Sequence, residues 1–310
     1  MSADLEAAER ILRSGLGDRV RTAVPLAPLT TFRIGGTARL FVEPERDDDL
    51  AVVHRAVREA GLPVVIVGKG SNILVADRGV SGLVLRLGRG YRWAARERDR
   101  LRAGAAMPLP AIAGVALRHG LAGLEFGVAI PATLGGAVRM NAGAHRSEIA
   151  DVVDRVELYR LDTGAHVTID GAGAGFSYRR SGFPGDAVVL AATLALRPGD
   201  ADAIRDRMAE ARDWRRRTQP LAEPNCGRVF TNPPGAHAAA LIDAAGLKGE
   251  RVGGATVSVK HANFIVTEPG ATSADVVTLI GLIQERVAQT SGVRLETEVR
   301  LIGSFDDDAA

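Results

Sequence analysis

The chain is short of several things, and each shortage excludes something. Cysteine occurs once in 310 residues, at Cys226. A single thiol cannot close an internal disulfide, and such usage fits a cytoplasmic setting. No apolar run approaches the ~18 residues of a membrane-spanning helix, so no membrane partner is expected. Net charge is slight, 39 basic against 37 acidic residues for a formal +2, too little to suggest a nucleic-acid partner. The opening MSADLEAAERILRSG is charged and helix-like, unlike a signal peptide. There is no internal repeat and no collagen-like period.

Two things are plentiful. Hydrophobic residues make up 46%, enough for substantial cores, and the length predicts two or three domains. The 36 glycines are clustered, which points to backbone approaching a ligand.

Apolar spacing predicts an amphipathic helix over 3–15, carried by Leu5, Ile11 and Leu12. Residues 30–44 read as strand–turn–strand broken at Gly35-Gly36. A helix over 48–60 is stopped by Gly61-Leu62-Pro63, and strands follow at 64–67 and 83–87. The middle carries a helix at 108–119 and strands at 151–159, 166–169 and 187–196. A boundary at Pro198-Gly199-Asp200 precedes a charged helix at 201–217, read as a solvated linker. The last third reads as a helix at 236–245, a strand region at 252–267, a helix at 272–290 and a strand at 294–302. That pattern predicts a small α+β domain, with an acidic, disordered tail over 304–310.

Two glycine segments stand out. The apolar strand at 64–67 runs into Gly68-Lys69-Gly70-Ser71-Asn72. This is either an anion cradle, with successive N–H groups pointing inward, or a plain tight turn. It is neither a dinucleotide fingerprint nor a P-loop. The second segment runs from Gly127 through Ile130-Pro131-Ala132-Thr133-Leu134-Gly135-Gly136 to Asn141-Ala142-Gly143-Ala144. Its small residues suit either close contact with a flat ring or diphosphate, or a tightly packed turn and helix.

Further motifs follow in a fixed order. Thr31-Phe32-Arg33-Ile34-Gly35-Gly36 precedes both glycine segments. After them come Tyr178-Arg179-Arg180-Ser181, Gly227-Arg228-Val229-Phe230-Thr231-Asn232-Pro233, Ser258-Val259-Lys260-His261-Ala262-Asn263-Phe264 and Glu298-Val299-Arg300. The series resembles the UDP-N-acetylenolpyruvoylglucosamine reductases over roughly residues 25–303. The short connection after Tyr178 is similar to the shorter class of that family.

The resemblance implies a vanillyl-alcohol-oxidase-like FAD-binding fold of two subdomains, over 1–84 and 85–200. A linker helix over 201–218 and an α+β substrate-binding domain over 219–303 would follow. FAD would rest on the two glycine segments, with NADPH as hydride donor and a small anionic substrate. Arg179 would stabilise the developing enolate, unless it is an ordinary surface ion pair. Glu298 matches the family's catalytic glutamate; a two-residue strand period would put it on one face with Glu296. Asn232, Lys248 and His261 are candidates for the substrate side, with packing the alternative for the last two. No metal site is implied.

The chain then departs from the pattern. Arg228 stands at the family's serine, which donates a proton; a guanidinium keeps its protons at physiological pH. Loss of a general acid costs ~10²–10⁴-fold in rate. Thr231 replaces a frequent lysine, Ala132 a glycine, and Thr267 a common asparagine. Cys226, two residues from Arg228, is a conceivable replacement acid, although relatives that carry a thiol there also keep the serine. Because the changes gather on the substrate side, the expectation is an FAD oxidoreductase diverged in substrate or reaction, with Arg228 binding an anionic group. The family reaction itself, and a flavin-binding protein without turnover, are the alternatives.

Overall fold

The computed structural model describes residues 4–305. The chain divides into two compact units, each with its own apolar core. Unit 1 comprises Met1–Thr22, Leu40–Lys69 and Gly82–Trp214; unit 2 comprises Ala23–Arg39, Gly70–Ser81 and Arg215–Ala310.

In unit 1, helix α1 (Leu5–Leu16) packs on helix α2 (Asp47–Ala60). Three aspartates crowd the first turn of α2, where the helix dipole favours negative charge. Leu50, Val53, Ala56 and Ala60 form its buried stripe, and Gly61 ends it in the left-handed conformation. Helix α3 (Leu109–Arg118) buries Leu109, Ile112, Ala113 and Ala116 in the same way. The short helix α4 (Leu134–Arg139) lies on the central strand of a five-stranded antiparallel sheet. The strands of that sheet run His166–Asp170, Val153–Arg160, Ala187–Ala195, Arg100–Gly104 and Ala94–Glu97. Covered on both faces, Ala187–Ala195 is buried at every residue but its last, which accounts for its unbroken apolar run. Val64–Ile66 pairs in parallel with residues 83–85, also in unit 1. Helix α5 (Ala201–Thr218) buries only Ile204, Met208 and Ala211 along its length.

Unit 2 is built on helices α6 (Ala238–Ala244) and α7 (Ser273–Ser291) and a small antiparallel sheet of Arg251–Val252, Ala255–Val257 and Ile265–Thr267. Val276, Leu279, Ile280, Ile283 and Val287 of α7 enter the core. A capping box from Thr272 and Asp275 starts that helix, and Asp77 accepts hydrogen bonds from the Ser273 N–H and Oγ. Within the same unit, Ile73–Val75 pairs in parallel with Arg300–Ile302. This is the α+β class expected from the sequence.

Three local expectations change. Residues 30–36 form a turn rather than a first strand, because Arg33 and Gly35 have φ of +59° and +110°; only Thr37–Val42 is extended. The strand expected over 294–302 shrinks to Arg300–Ile302. The N–H groups of Glu298 and Val299 both point at the Val229 carbonyl, which breaks the two-residue period. Glu296 is consequently exposed while Glu298 is half-buried, so the two do not share an environment. Of the expected tail, Ser304 and Phe305 are described and Phe305 packs on the core of unit 2; the remainder lies outside the described residues.

Candidate active site

The first glycine segment has the chemistry of an anion cradle. The backbone N–H groups of Gly68, Lys69, Gly70, Ser71 and Asn72 find no acceptor among the described residues. Consecutive unclaimed donors are what a phosphate needs. Gly70 is required twice over: its φ is +68°, and a β-carbon there would lie 2.1 Å from the Leu29 carbonyl oxygen. Lys69 is exposed and Ser71 half-buried at this loop. Asn72 does something else: its Nδ2 donates to the Glu298 carbonyl at 3.1 Å, and its own carbonyl accepts from the Arg300 N–H at 3.1 Å. Its side chain is engaged in holding the backbone of the candidate catalytic glutamate.

The second segment supplies close packing more than donors. A β-carbon on Gly68 would lie 2.5 Å from Thr133 Oγ1, and one on Gly135 3.0 Å from the Ala105 β-carbon. The N–H groups of Leu134, Gly135 and Gly136 are taken by Met107 O, Ala105 O and Thr133 Oγ1. The start of α4 therefore does not offer them to a phosphate. Ile130 is half-buried and Pro131 exposed ahead of it. Gly143 and Ala144 form a hairpin with Ser147 and Glu148, and a β-carbon on Gly143 would strike the Ser147 carbonyl oxygen at 2.6 Å.

Asn141 was expected at the cofactor; its side chain is instead fully buried in protein. Its Nδ2 donates to Glu148 Oε1 at 2.8 Å and Ser177 O at 3.0 Å, and its Oδ1 accepts from the Ala150 N–H at 2.9 Å. It holds a turn in which its own φ is +41°. That turn receives the Arg179 guanidinium, which donates to the Asn141 and Gly143 carbonyls at 3.2 and 3.1 Å and lies over the Tyr178 ring at 4.9 Å. Arg179 is thus fastened to the second glycine segment.

In unit 2 the segment around Arg228 is not a plain strand. Gly227 has φ of +79°, and its N–H donates to Asn225 Oδ1 at 2.9 Å. The kink breaks the shared face expected for residues 226 and 228: Cys226 is buried and Arg228 half-exposed. Burial, and then the negative charge of Glu298, push the Cys226 thiol well above its ordinary value. It is a poor replacement acid.

Asn263, a residue that motif-reading passed over, organises this region. It is buried; its Oδ1 accepts from the Phe230 N–H at 2.9 Å and its Nδ2 donates to the Phe230 carbonyl at 2.8 Å. Its backbone carbonyl accepts from the Val229 N–H at 3.0 Å, and its N–H donates to His261 Nδ1 at 3.2 Å. The available clue was an amide set in the apolar run from Ala262 to Val266. His261 lies edge-on to Phe264 at 4.7 Å. Burial first, then the charges of Arg228 and Lys248, bring the His261 pKa down to about 4. Lys248 is ion-paired to Asp243 at 2.7 Å. Asn232, expected on the substrate side, accepts from the Ala238 N–H at 3.0 Å through Oδ1 and so caps the start of α6.

Two departures bond to backbone carbonyls of the protein. Thr267 is buried and its hydroxyl donates to the Phe32 carbonyl at 2.9 Å. Thr231 bonds the Glu296 carbonyl through its N–H and its hydroxyl.

A glycine loop with unclaimed N–H groups, entered from the strand Val64–Ile66, suits the diphosphate of a nucleotide cofactor. Residues 38–170 match the FAD binding domain family, and residues 219–302 match the UDP-N-acetylenolpyruvoylglucosamine reductase C-terminal domain family. A UDP-N-acetylenolpyruvoylglucosamine reductase from Anaeromyxobacter sp. (strain Fw109-5) is 50% identical over 289 residues, covering 93% of this chain and 90% of the relative. That of Myxococcus xanthus (strain DK1622) is 45% identical over 293 residues, covering 93% and 94%. The crystal structure of UDP-N-acetylenolpyruvylglucosamine reductase from Thermus caldophilus superposes with a TM-score of 0.80 at 36% identity, covering 92% of this chain and 99% of that one. The chain belongs to the UDP-N-acetylenolpyruvoylglucosamine reductase family, and it is an FAD-dependent oxidoreductase. No helix among the described residues is long and apolar enough to cross a membrane.

Proposed function

We propose that the chain carries out the family reaction, the NADPH-dependent reduction of UDP-N-acetylglucosamine-enolpyruvate to UDP-N-acetylmuramate. Relatives 45–50% identical bear the reductase name. The observation that carries the reading is the fate of the departures. The expectation of a diverged substrate rested on changes gathered at one pocket, and Thr231 and Thr267 are now accounted for by bonds inside the protein. On the substrate side Arg228 remains.

When bound, FAD supplies the hydride path from NADPH to the enolpyruvyl double bond. One carbon of that bond gains the hydride, the other a proton. The loop from Gly68 to Asn72 holds the diphosphate through its unclaimed N–H groups. Arg179, its position set by the Asn141 and Gly143 carbonyls, opposes the negative charge that develops on the substrate. Glu298 acts from a backbone steadied by Asn72. With arginine in place of serine, the proton comes from solvent water.

The test has two stages. Purified protein should show flavin absorption, and NADPH should bleach it. Adding the enolpyruvyl sugar should restore the oxidised spectrum with one UDP-N-acetylmuramate formed per NADPH consumed. A flavoprotein that NADPH reduces but the enolpyruvyl sugar cannot reoxidise would sink this reading in favour of another substrate. Absence of flavin would sink both.

A further inference from the structure

Arg228 is held on both sides. Before it, Gly227 is kinked and tied to Asn225; after it, Val229 and Phe230 are locked to Asn263. The same Asn263 gives its N–H to His261 Nδ1. An accepting Nδ1 places the imidazole proton on Nε2, so the ring presents an N–H donor. One buried residue therefore sets the backbone that follows Arg228 and an imidazole N–H on neighbouring segments, and Phe264 lies edge-on to the ring. Arg228 has no carboxylate or carbonyl partner among the described residues, although it is half-buried. The neighbouring cation Lys248 is engaged by Asp243. A partly desolvated guanidinium without an anion is unfavourable, and a bound anion relieves the cost.

We propose that Arg228 and the Nε2–H of His261 form a fixed clamp for the carboxylate of the enolpyruvyl substrate. The inference rests on the reductase reading for the ligand's identity. The clamp turns this position from a proton donor into an anchor. A planar guanidinium fork matches a planar carboxylate through paired N–H···O bonds, which a lysine cannot reproduce. His261 stays neutral beside it, burial being the first reason and the Arg228 charge the second, so the pair carries a single positive charge to match the single negative one.

The experiment is equilibrium binding to the oxidised holoprotein by calorimetry, using two probes. UDP-N-acetylglucosamine-enolpyruvate has the carboxylate; UDP-N-acetylglucosamine has the diphosphate without it. Arg228→Gln should weaken the first by about 10- to 100-fold and leave the second within about twofold. Arg228→Lys should fall between Gln and wild type. Flavin content and reduction by NADPH alone should match wild type, which separates a lost clamp from a misfolded variant. Equal weakening of both probes would assign the arginine to the diphosphate and overturn the proposal. Unchanged binding of both would overturn it too, as would an Arg228→Ser variant that turns over faster with binding intact. Carboxylate-dependent binding without turnover would leave the clamp standing and remove the reductase reading instead.

Discussion

Truncating Asn263 to alanine is the sharpest test of how unit 2 is held together. The bridge between Phe230 and Thr297 uses the carbonyl of Val229 and the N–H of Thr231, so Phe230 turns its own N–H and C=O the other way. There they meet only the Asn263 carboxamide, at 2.9 and 2.8 Å. Asn263 and Phe230 are each 1% exposed, which leaves no room for bulk water to replace the lost partners. Each buried backbone group left unsatisfied costs about 1–3 kcal/mol, so Asn263→Ala should lose about 2–6 kcal/mol. That is a large share of the ~5–15 kcal/mol typical of a folded domain. Urea unfolding followed by circular dichroism measures it, with a lower midpoint expected at unchanged slope. A loss under ~1 kcal/mol would refute the reasoning, because the two bonds would then be absent or replaced by water.

Two further outcomes follow from buried ionisable groups. Burial alone would raise the Asp49 carboxyl, but N–H bonds from Glu45 and Arg46 and the Arg19 guanidinium outweigh it and bring the value below 3.8. A value depressed on folding stabilises above the unfolded value and ceases to do so as pH falls through the folded one. Asp49→Asn should therefore cost about 1–3 kcal/mol near neutrality. The difference in melting temperature should close below pH 3.8; a gap that persists in strong acid would contradict the assignment. Cys226 should resist a thiol reagent in the native protein and react fully once unfolded, since burial hides the sulfur and disfavours its thiolate. Rapid native labelling would show that the segment opens.

Much of the fold was legible because its signals are local. The stripe in α2 with Gly61 behind it, and the long apolar run of Ala187–Ala195, can be read from spacing alone. Order of motifs identified the family for the same reason, since each short string reports a local backbone need. Where a residue's role depends on a distant partner, reading failed. Asn141 looked like a cofactor ligand until Glu148, Ser177 and Ala150 claimed its whole amide. Glu296 and Glu298 looked paired until a doubled contact at Val229 broke the strand period.

The sequence by itself determined the family, the element types and the oddity at Arg228, because composition, period and motif are properties of neighbours in the chain. Only the tertiary structure decided which odd residues bond within the protein. Thr267 proved to be an internal fastener, since its buried hydroxyl must find an acceptor and does so at Phe32, while the half-buried Thr231 bonds the Glu296 carbonyl. Arg228 kept its significance for the opposite reason: folding brings His261 near it and gives it no hydrogen-bonded or ion-paired partner among the described residues. Hydrogen-bond satisfaction is decided in space, and it separates the residues that hold the protein together from those left to hold something else.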